Sequence, residues 1–146
     1  MQQNKQSVAT AERLQEIASH WIEEGWQNGN PAVVDELHAA GFVDHSAGDR
    51  SSGREGFKEG ITQLYAAFSD FYAVIQDLII DAAAGKVTVR WTATGTHTGP
   101  FMGLEPTGRR IHFEGIEIIR IEADRIVERW GEWDGIGLLR QLGGRW

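Results

Sequence analysis

KVTVRWTATGTH, residues 86–97, alternates apolar and polar side chains, which predicts a β-strand with one buried face. Its apolar face carries Val87, Val89, Trp91, Ala93, Gly95 and His97. The stretch RRIHFEGIEIIRIE, residues 109–122, repeats the alternation and places Glu117 among Phe113, Ile119 and Ile121. Two ionisable side chains, His97 and Glu117, are therefore predicted to lie on buried strand faces.

Two further strands are predicted on either side of this pair, over residues 71–81 and 125–133. A loop with glycine and proline breakers fills residues 98–108. The four strands follow one another without a helix between them, so sequential neighbours must pair antiparallel.

The first half of the chain predicts helices. Residues 10–28 keep one apolar stripe, made by Leu14, Ile17, Ala18, Trp21 and Gly25. Asn30-Pro31 opens a short second helix, 42–45 is a short extended piece, 46–53 is a polar loop, and 54–68 is a third helix. The expected fold is α+β over a single domain, 1–146: a half-cone in which N-terminal helices pack on a curved, mostly antiparallel sheet and enclose a pocket.

Composition excludes several classes of function. The 146 residues carry 21 acidic and 14 basic side chains, a formal charge of −7, which lacks the basic footprint of a nucleic-acid binder and disfavours anionic membrane. There is no cysteine, and the sequence has no HExxH, GxxxxGK[ST], GxGxxG or GxSxG motif. Metal, nucleotide and serine-nucleophile chemistry therefore lose their best support. No signal peptide is visible, so we expect a cytoplasmic protein.

Glu117 and His97 are the first candidates for catalysis. A carboxylate buried among apolar groups is costly unless it is paired, hydrogen-bonded or protonated, and such a group suits acid–base chemistry. The alternative is a strand end or bulge that turns either residue to water. If the two strands pair as a hairpin, we expect Glu117 and His97 to form a coupled pair.

Three more ionisable residues are candidates. His45 follows an apolar pair and precedes a loop, which fits a pocket mouth or a loop-pinning role. Asp134 either caps the following segment or is a pocket acid, and Glu132 is a further carboxylate near it. The other histidines, His20, His38 and His112, are predicted to lie on the surface or on the opposite face.

Aromatic side chains are abundant and fit either core packing or the wall of a pocket for a planar ligand. The sequence allows either face of the strand at residues 126–133 to point inward. We favour Val127, Arg129 and Gly131 inward, with Glu132 and Asp134 pointing elsewhere; a bulge at Gly131 would reverse this. The predicted pocket residues are Trp21, Trp91, Met102, Phe113, Arg129 and Trp130.

Three segments carry a resemblance to a known family: FVDH at 42–45, VRWTATGTHTGPFMGLEPTGRRIHFEGIEIIRIE at 89–122, and RIVERWGEWDGIGLLRQLG at 125–143. The chain resembles the SnoaL-like polyketide cyclases, or ester cyclases, of the nuclear-transport-factor-2-like superfamily. The resemblance implies the half-cone fold and intramolecular aldol ring closure of a polyketide methyl ester, without cofactor or metal. A pocket carboxylate removes a proton, and an acid protonates the receiving carbonyl oxygen.

The resemblance also assigns positions. His45 matches the histidine after the short strand, His97 the histidine of the GTHTG turn, and Glu117 a polar pocket position. Gly131 stands where the cyclases place their catalytic aspartate, so another carboxylate must act if this chain is a catalyst. Relatives pair through the outer sheet face, which implies a homodimer or larger homo-oligomer.

Three classes of function remain open for a small-molecule pocket. The first is a cyclase or isomerase with Glu117 as the carboxylate. The second is another cofactor-free lyase, hydrolase or dehydratase that uses His97 and Glu117, and the third is a non-catalytic ligand-binding pocket. If Glu117 is the base, Glu117→Gln should keep the fold and lose turnover; if Glu117 is only structural, the variant should lose stability and keep activity.

Overall fold

The order of elements follows the sequence pattern. The computed structural model describes residues 2–144 of the chain, with side chains from residue 10 onward. The helices are α1 (Gln2–Trp21), α2 (Val33–Leu37), α3 (Arg54–Ala67) and α4 (Gly135–Gln141). The strands are β1 (His38–Asp44), β2 (Tyr72–Asp81), β3 (Lys86–Thr96), β4 (Arg110–Glu122) and β5 (Arg125–Trp133). Within the described residues, no helix is both long and apolar enough to cross a bilayer.

The five strands form one sheet in the order β1-β5-β4-β3-β2. β2 to β5 pair antiparallel with their sequence neighbours, and β1 adds to the edge parallel to β5. The helices cover the inner face of the sheet, where Val87, Val89 and Ile119 are fully buried beneath α1 and α3. The predicted α+β half-cone is confirmed.

The first helix changes pitch near its end. After Trp21 it continues as a π-helical segment, Ile22–Gln27, which the sequence pattern did not predict. A Cβ on Gly25 would overlap the Trp21 ring, so glycine at this position allows the ring to lie flat against the backbone. The π-helical segment turns Ile22 and Trp26 toward the interior space below the sheet.

One expectation about β5 is wrong. The pairing with β4 shifts between Arg120 and Ile121, so the bulge lies at Val127 and Ile126 takes the buried position. From Arg129 onward the expected face is correct, because Arg129 pairs with Ile119 and Gly131 with Glu117. Arg129 and Gly131 therefore face inward.

The surface placement of His38 is also wrong. Its side chain is only 1% exposed, and its ring packs edge-on against Trp21, Phe42 and Phe57. Nδ1 lies 3.1 Å from the carbonyl oxygen of Val34, which makes Nδ1 the donor. Burial lowers the pKa of His38 from 6.5 to about 4, so the imidazole is neutral in the folded protein at neutral pH.

Because His38 is buried as the neutral imidazole, we expect the folded protein to lose stability in acid. Below pH 6.5 the unfolded chain binds a proton at His38 that the folded chain does not bind until about pH 4, so stability should fall as pH drops through that window. The shift corresponds to about 3 kcal/mol in the free energy of unfolding. Urea unfolding at pH 8, 6.5, 5.5 and 4.5 measures how the free energy of unfolding depends on pH. The variant is His38→Leu, and the control is His112→Gln, at an exposed histidine. His38→Leu should flatten the pH dependence, and a slope equal to wild type would contradict the assignment.

Candidate functional site

A cavity of ≈ 240 Å³ lies between the helices and the inner face of the sheet. Its wall is mostly apolar and aromatic, with Trp26, Trp91 and Trp133 among the rings that face the space. The polar side chains in the wall are Arg50, Gln63, Glu117 and Arg129. A small apolar cavity with a few converging polar groups is typical of a site for a small organic ligand.

Glu117 is the carboxylate in this wall. It faces inward from the middle of β4, opposite Val89 on β3 and Gly131 on β5, and is 2% exposed. Its Oε2 accepts a hydrogen bond from Nε of Arg129 at 2.7 Å, whereas buried Oε1 has no hydrogen-bond partner in the described part of the chain. The predicted burial of Glu117 is confirmed, and the carboxylate has one oxygen anchored by Arg129 and one buried oxygen without a hydrogen bond from the described residues.

Arg129 joins two buried carboxylates. Besides Glu117, its Nη1 donates to Oδ1 of Asp44 at 3.0 Å, and its guanidinium lies 5.3 Å from the centre of the Phe57 ring. Burial alone would lower the pKa of Arg129, but the charges of Glu117 and Asp44 raise it overall above its usual value. Arg129 is therefore a fixed cation at the polar end of the cavity.

Asp44 is a member of this cluster that the sequence reasoning missed. Its side chain is 1% exposed, and Oδ1 also accepts from the backbone N–H of Ser46 at 2.9 Å. The sequence did carry a signal, because Asp44 lies two residues after Phe42 and period-two alternation places both on the same face of β1. We call Asp44, Glu117 and Arg129 the buried charge cluster.

Gly131 leaves room for this cluster. A Cβ at Gly131 would overlap the guanidinium of Arg129, so a side chain at this position and the observed Arg129 conformation exclude each other. The backbone N–H of Gly131 donates to Oγ of Ser46 at 2.9 Å, which ties β5 to the segment after β1. The resemblance expects an aspartate at position 131. Here the residue is glycine, and the space beside it is filled by the guanidinium of Arg129, two residues earlier on β5.

The expected pairing of His97 with Glu117 is wrong. Thr96 pairs with Arg110 and Val89 with Glu117, so eight residues of strand, roughly 26 Å, separate His97 from Glu117. His97 is buried as predicted, but its ring packs on Phe68, away from Glu117. Its Nδ1 accepts a hydrogen bond from the backbone N–H of Thr107 at 3.2 Å. Two buried residues on one sheet face need not be neighbours.

Three other predicted residues lie outside the cavity. The His45 ring stacks on Trp130 at 4.8 Å between ring centres and contacts Glu128 at 2.7 Å, so His45 pins its loop to the outer face of β5. Glu132 is exposed on that same outer face. Asp134 is the N-cap of α4 and accepts from the N–H of Gly137 at 2.8 Å, which settles its alternatives in favour of the cap.

The predicted pocket wall is correct in part. Trp91, Phe113 and Arg129 line the cavity. Trp21 is fully buried in the core behind it, Trp130 lies on the outer face, and Met102 is 49% exposed in the loop after β3. Period-two alternation decides the position of Trp130, because it lies one residue from inward-facing Arg129.

Further wall residues come from positions that carried no clear signal. Arg50 and Gln63 belong to a polar loop and a helix, and their approach to the sheet depends on tertiary packing. Trp26 arrives through the π-helical segment, and Trp133 ends β5 against Phe113 at 5.7 Å between ring centres. Across the residues with described side chains, no group of three or more His, Asp or Glu residues is arranged as metal ligands.

Comparison with known proteins identifies the family. The family model of SnoaL-like polyketide cyclases matches residues 16–142. The chain belongs to this family. It is 31% identical over 114 residues to the aklanonic acid methyl ester cyclase DauD of Streptomyces sp. strain C5, covering 78% of this chain and 69% of the relative. It is 30% identical over 95 residues to the nogalonic acid methyl ester cyclase of Streptomyces nogalater, covering 65% and 70%.

The fold agrees with solved structures of relatives. TsrD from Streptomyces laurentii superposes with a TM-score of 0.82 at 26% identity, covering 92% of this chain and 97% of TsrD. A SnoaL-like polyketide cyclase from Agrobacterium tumefaciens superposes with a TM-score of 0.72 at 20% identity, covering 89% and 98%. The fold of this chain thus recurs in solved structures that are 20% and 26% identical to it in sequence.

Proposed function

We propose that this member of the SnoaL-like family is a cofactor-free acid–base catalyst that closes a ring in a carbonyl compound by intramolecular aldol addition, with Glu117 as the base. One observation carries the proposal: Glu117 lines an apolar cavity with one oxygen held by Arg129, while its buried Oε1 has no partner among the described residues. An acceptor in that state suits the abstraction of a proton from a bound molecule.

The proposed step balances without an added reactant. Oε1 of Glu117 takes a proton from a carbon flanked by carbonyl groups, and that C–H bond breaks. The resulting carbanion attacks a second carbonyl of the same molecule, forming the new C–C bond and an alkoxide. The proton held by Glu117 passes to the alkoxide, so the product is an isomer of the substrate and the carboxylate is regenerated.

Arg129 supports the charge that develops during this step. Its cation lies within hydrogen-bond distance of Glu117 and lines the same cavity, so it is placed to stabilise negative charge on an enolate oxygen. Any carboxylate is a weak base, and a carbon between two carbonyls is acidic enough for a weak base. A carboxylate as the base thus favours dicarbonyl substrates over simple ketones.

A substrate screen tests this function. Purified protein is incubated with aklanonic acid methyl ester and nogalonic acid methyl ester, the compounds in the names of two relatives, and with simpler aromatic 1,3-dicarbonyl esters. Chromatography with mass detection should show a product of unchanged mass and altered retention. Tight binding of several of these compounds without any isomer formed would contradict catalysis and indicate a ligand-binding pocket.

We also propose that the protein is a homodimer that pairs through the outer face of its sheet. On that face Ile79, Thr88, Ile118 and Trp130 form one cross-strand row through four strands, and Ile79 is 65% exposed. Three of these four side chains are apolar, and a partly exposed apolar row on a sheet face is typical of a protein interface. Sedimentation at micromolar concentration should give a dimer for wild type and a monomer for Ile118→Lys. Ile136→Lys, at an exposed isoleucine on α4, is the control; a wild-type monomer would contradict the proposal.

A further inference from the structure

Arg50 is the charged wall residue that the proposed chemistry does not use. It lies in the loop between β1 and α3, and its side chain is 26% exposed while lining the cavity. The ionisable wall residues with described side chains are two arginines and one glutamate, and Arg129 already neutralises Glu117 through a direct bond. Of the two arginines in the wall, Arg50 is the one with no hydrogen bond to a carboxylate of the described residues.

Asp44, the carboxylate beside Arg50, forms no hydrogen bond with the Arg50 guanidinium. Nη2 of Arg50 lies 3.9 Å from Oδ2 of Asp44, beyond hydrogen-bond range, and buried Oδ2 receives no hydrogen bond from the side chains and backbone that the structure describes. Asp44 directs its other oxygen to Arg129 at 3.0 Å. Arg50 is thus held near the buried charge cluster, with its charge incompletely compensated.

Two glycines of α3 hold the Arg50 guanidinium in place. Its Nη1 donates to the carbonyl oxygen of Gly56 at 2.9 Å. A Cβ on Gly60 would stand 2.6 Å from Nη1 and 2.9 Å from Cζ, so the absence of a side chain there lets the guanidinium lie against the helix. The cation is positioned before any ligand arrives, which reduces the entropy lost on binding.

We propose that Arg50 binds a carboxylate on an aromatic substrate, and that the natural substrate is a planar aromatic acid. The aromatic wall would take the ring system, and the planar guanidinium matches the two oxygens of a carboxylate. Arg50 and Glu117 do not contact each other directly, since Asp44 and Arg129 stand between them in the chain of ionic contacts, so the bound carboxylate and the reacting carbon would be held by different residues. The inference rests on the proposed function only in taking this cavity as the substrate site.

Matched ligands test the inference by isothermal titration calorimetry. The probes are 2-naphthoate and 2-naphthamide, which share two fused rings and differ in charge. Wild type at pH 7.5 should bind the naphthoate about tenfold more tightly than the amide, the usual scale for one charge-assisted hydrogen-bonded contact. Arg50→Gln should abolish that preference by weakening the naphthoate alone.

Two further variants separate charge from folding. Gly60→Ala keeps the charge and favours the helix, but it should displace the guanidinium and reduce the naphthoate preference while thermal stability stays equal or rises. Arg54→Gln removes an arginine that pairs with Asp35 and does not line the cavity, so it should leave the preference unchanged.

Three binding results would contradict the assignment of Arg50 as the carboxylate-binding residue. Equal affinity of wild type for both probes, no binding of either at millimolar concentration, or a full preference in Arg50→Gln would each overturn the inference. These outcomes leave the role of Glu117 untouched, since that role is measured by turnover. Conversely, a preference that persists in Glu117→Gln while turnover is also unchanged would sustain the Arg50 assignment and remove Glu117 from the mechanism.

Discussion

Arg129→Met should lower the free energy of unfolding by about 3–5 kcal/mol, because it leaves two buried carboxylates without their shared cation. Asp44 and Glu117 are 1% and 2% exposed, so water cannot replace the lost partner without opening the structure. Urea unfolding monitored by circular dichroism measures the difference, and tryptophan fluorescence gives a second signal for the same transition.

A matched variant on the protein surface serves as the control. Arg90 pairs with Asp77 at 2.6 Å, but both side chains are about half exposed, so Arg90→Met should change stability little. Adding Glu117→Gln and Asp44→Asn to Arg129→Met should recover part of the loss, since neutral amides are less costly to bury than carboxylates. Equal stability of Arg129→Met and wild type would show that the buried charge cluster does not stabilise the fold.

Glu117→Gln should reduce turnover of any substrate of this cavity by about 10²–10⁴-fold, the usual contribution of a positioned general base. An amide oxygen can still accept from Nε of Arg129, so the geometry of the wall should survive. The catalytic proton acceptor is lost, because an amide is a negligible base near neutral pH. Steady-state kinetics on a substrate from the screen gives the ratio, with Glu114→Gln as the control at an exposed glutamate on the outer face of β4.

In the structure, the stability of Glu117→Gln no longer separates a catalytic Glu117 from a structural one. From the sequence, lower stability of Glu117→Gln would have indicated a purely structural residue. Glu117 is in fact ion-paired with Arg129 at 2.7 Å, so some loss of stability is expected in either case. Turnover alone separates the two roles, and unchanged turnover would assign Glu117 to the stability of the fold.

Strand periodicity predicted much of the fold. The alternation over 86–97 and 109–122 identified the inner face, and the burial of Val89, Ile119 and Glu117 follows from it. The π-helical segment did not follow from the sequence, because the same apolar spacing fits an α-helix, and the close approach of Trp21 to Gly25 is visible only in the folded structure. The bulge at Val127 is likewise set by pairing with β4.

The site was harder to predict because it depends on register. The loop between β3 and β4 is centred on Gly103, and residues equidistant from that centre are cross-strand neighbours, as Val89 and Glu117 are. That geometry could have excluded the pairing of His97 with Glu117. Asp44 could have been found from its alternation with Phe42, whereas Arg50 reaches the cavity through a loop conformation that no periodicity encodes.

Deuterium exchange at the reacting carbon tests the role of Glu117 most directly. A ring-closing substrate is incubated in D₂O with wild type and with Glu117→Gln, and mass spectrometry follows label entering the unreacted substrate at the carbon between its carbonyls. Wild type should label this carbon faster than buffer alone, and Glu117→Gln should label it at the buffer rate. Labelling by Glu117→Gln at the wild-type rate would contradict the account, because another group would then be the base.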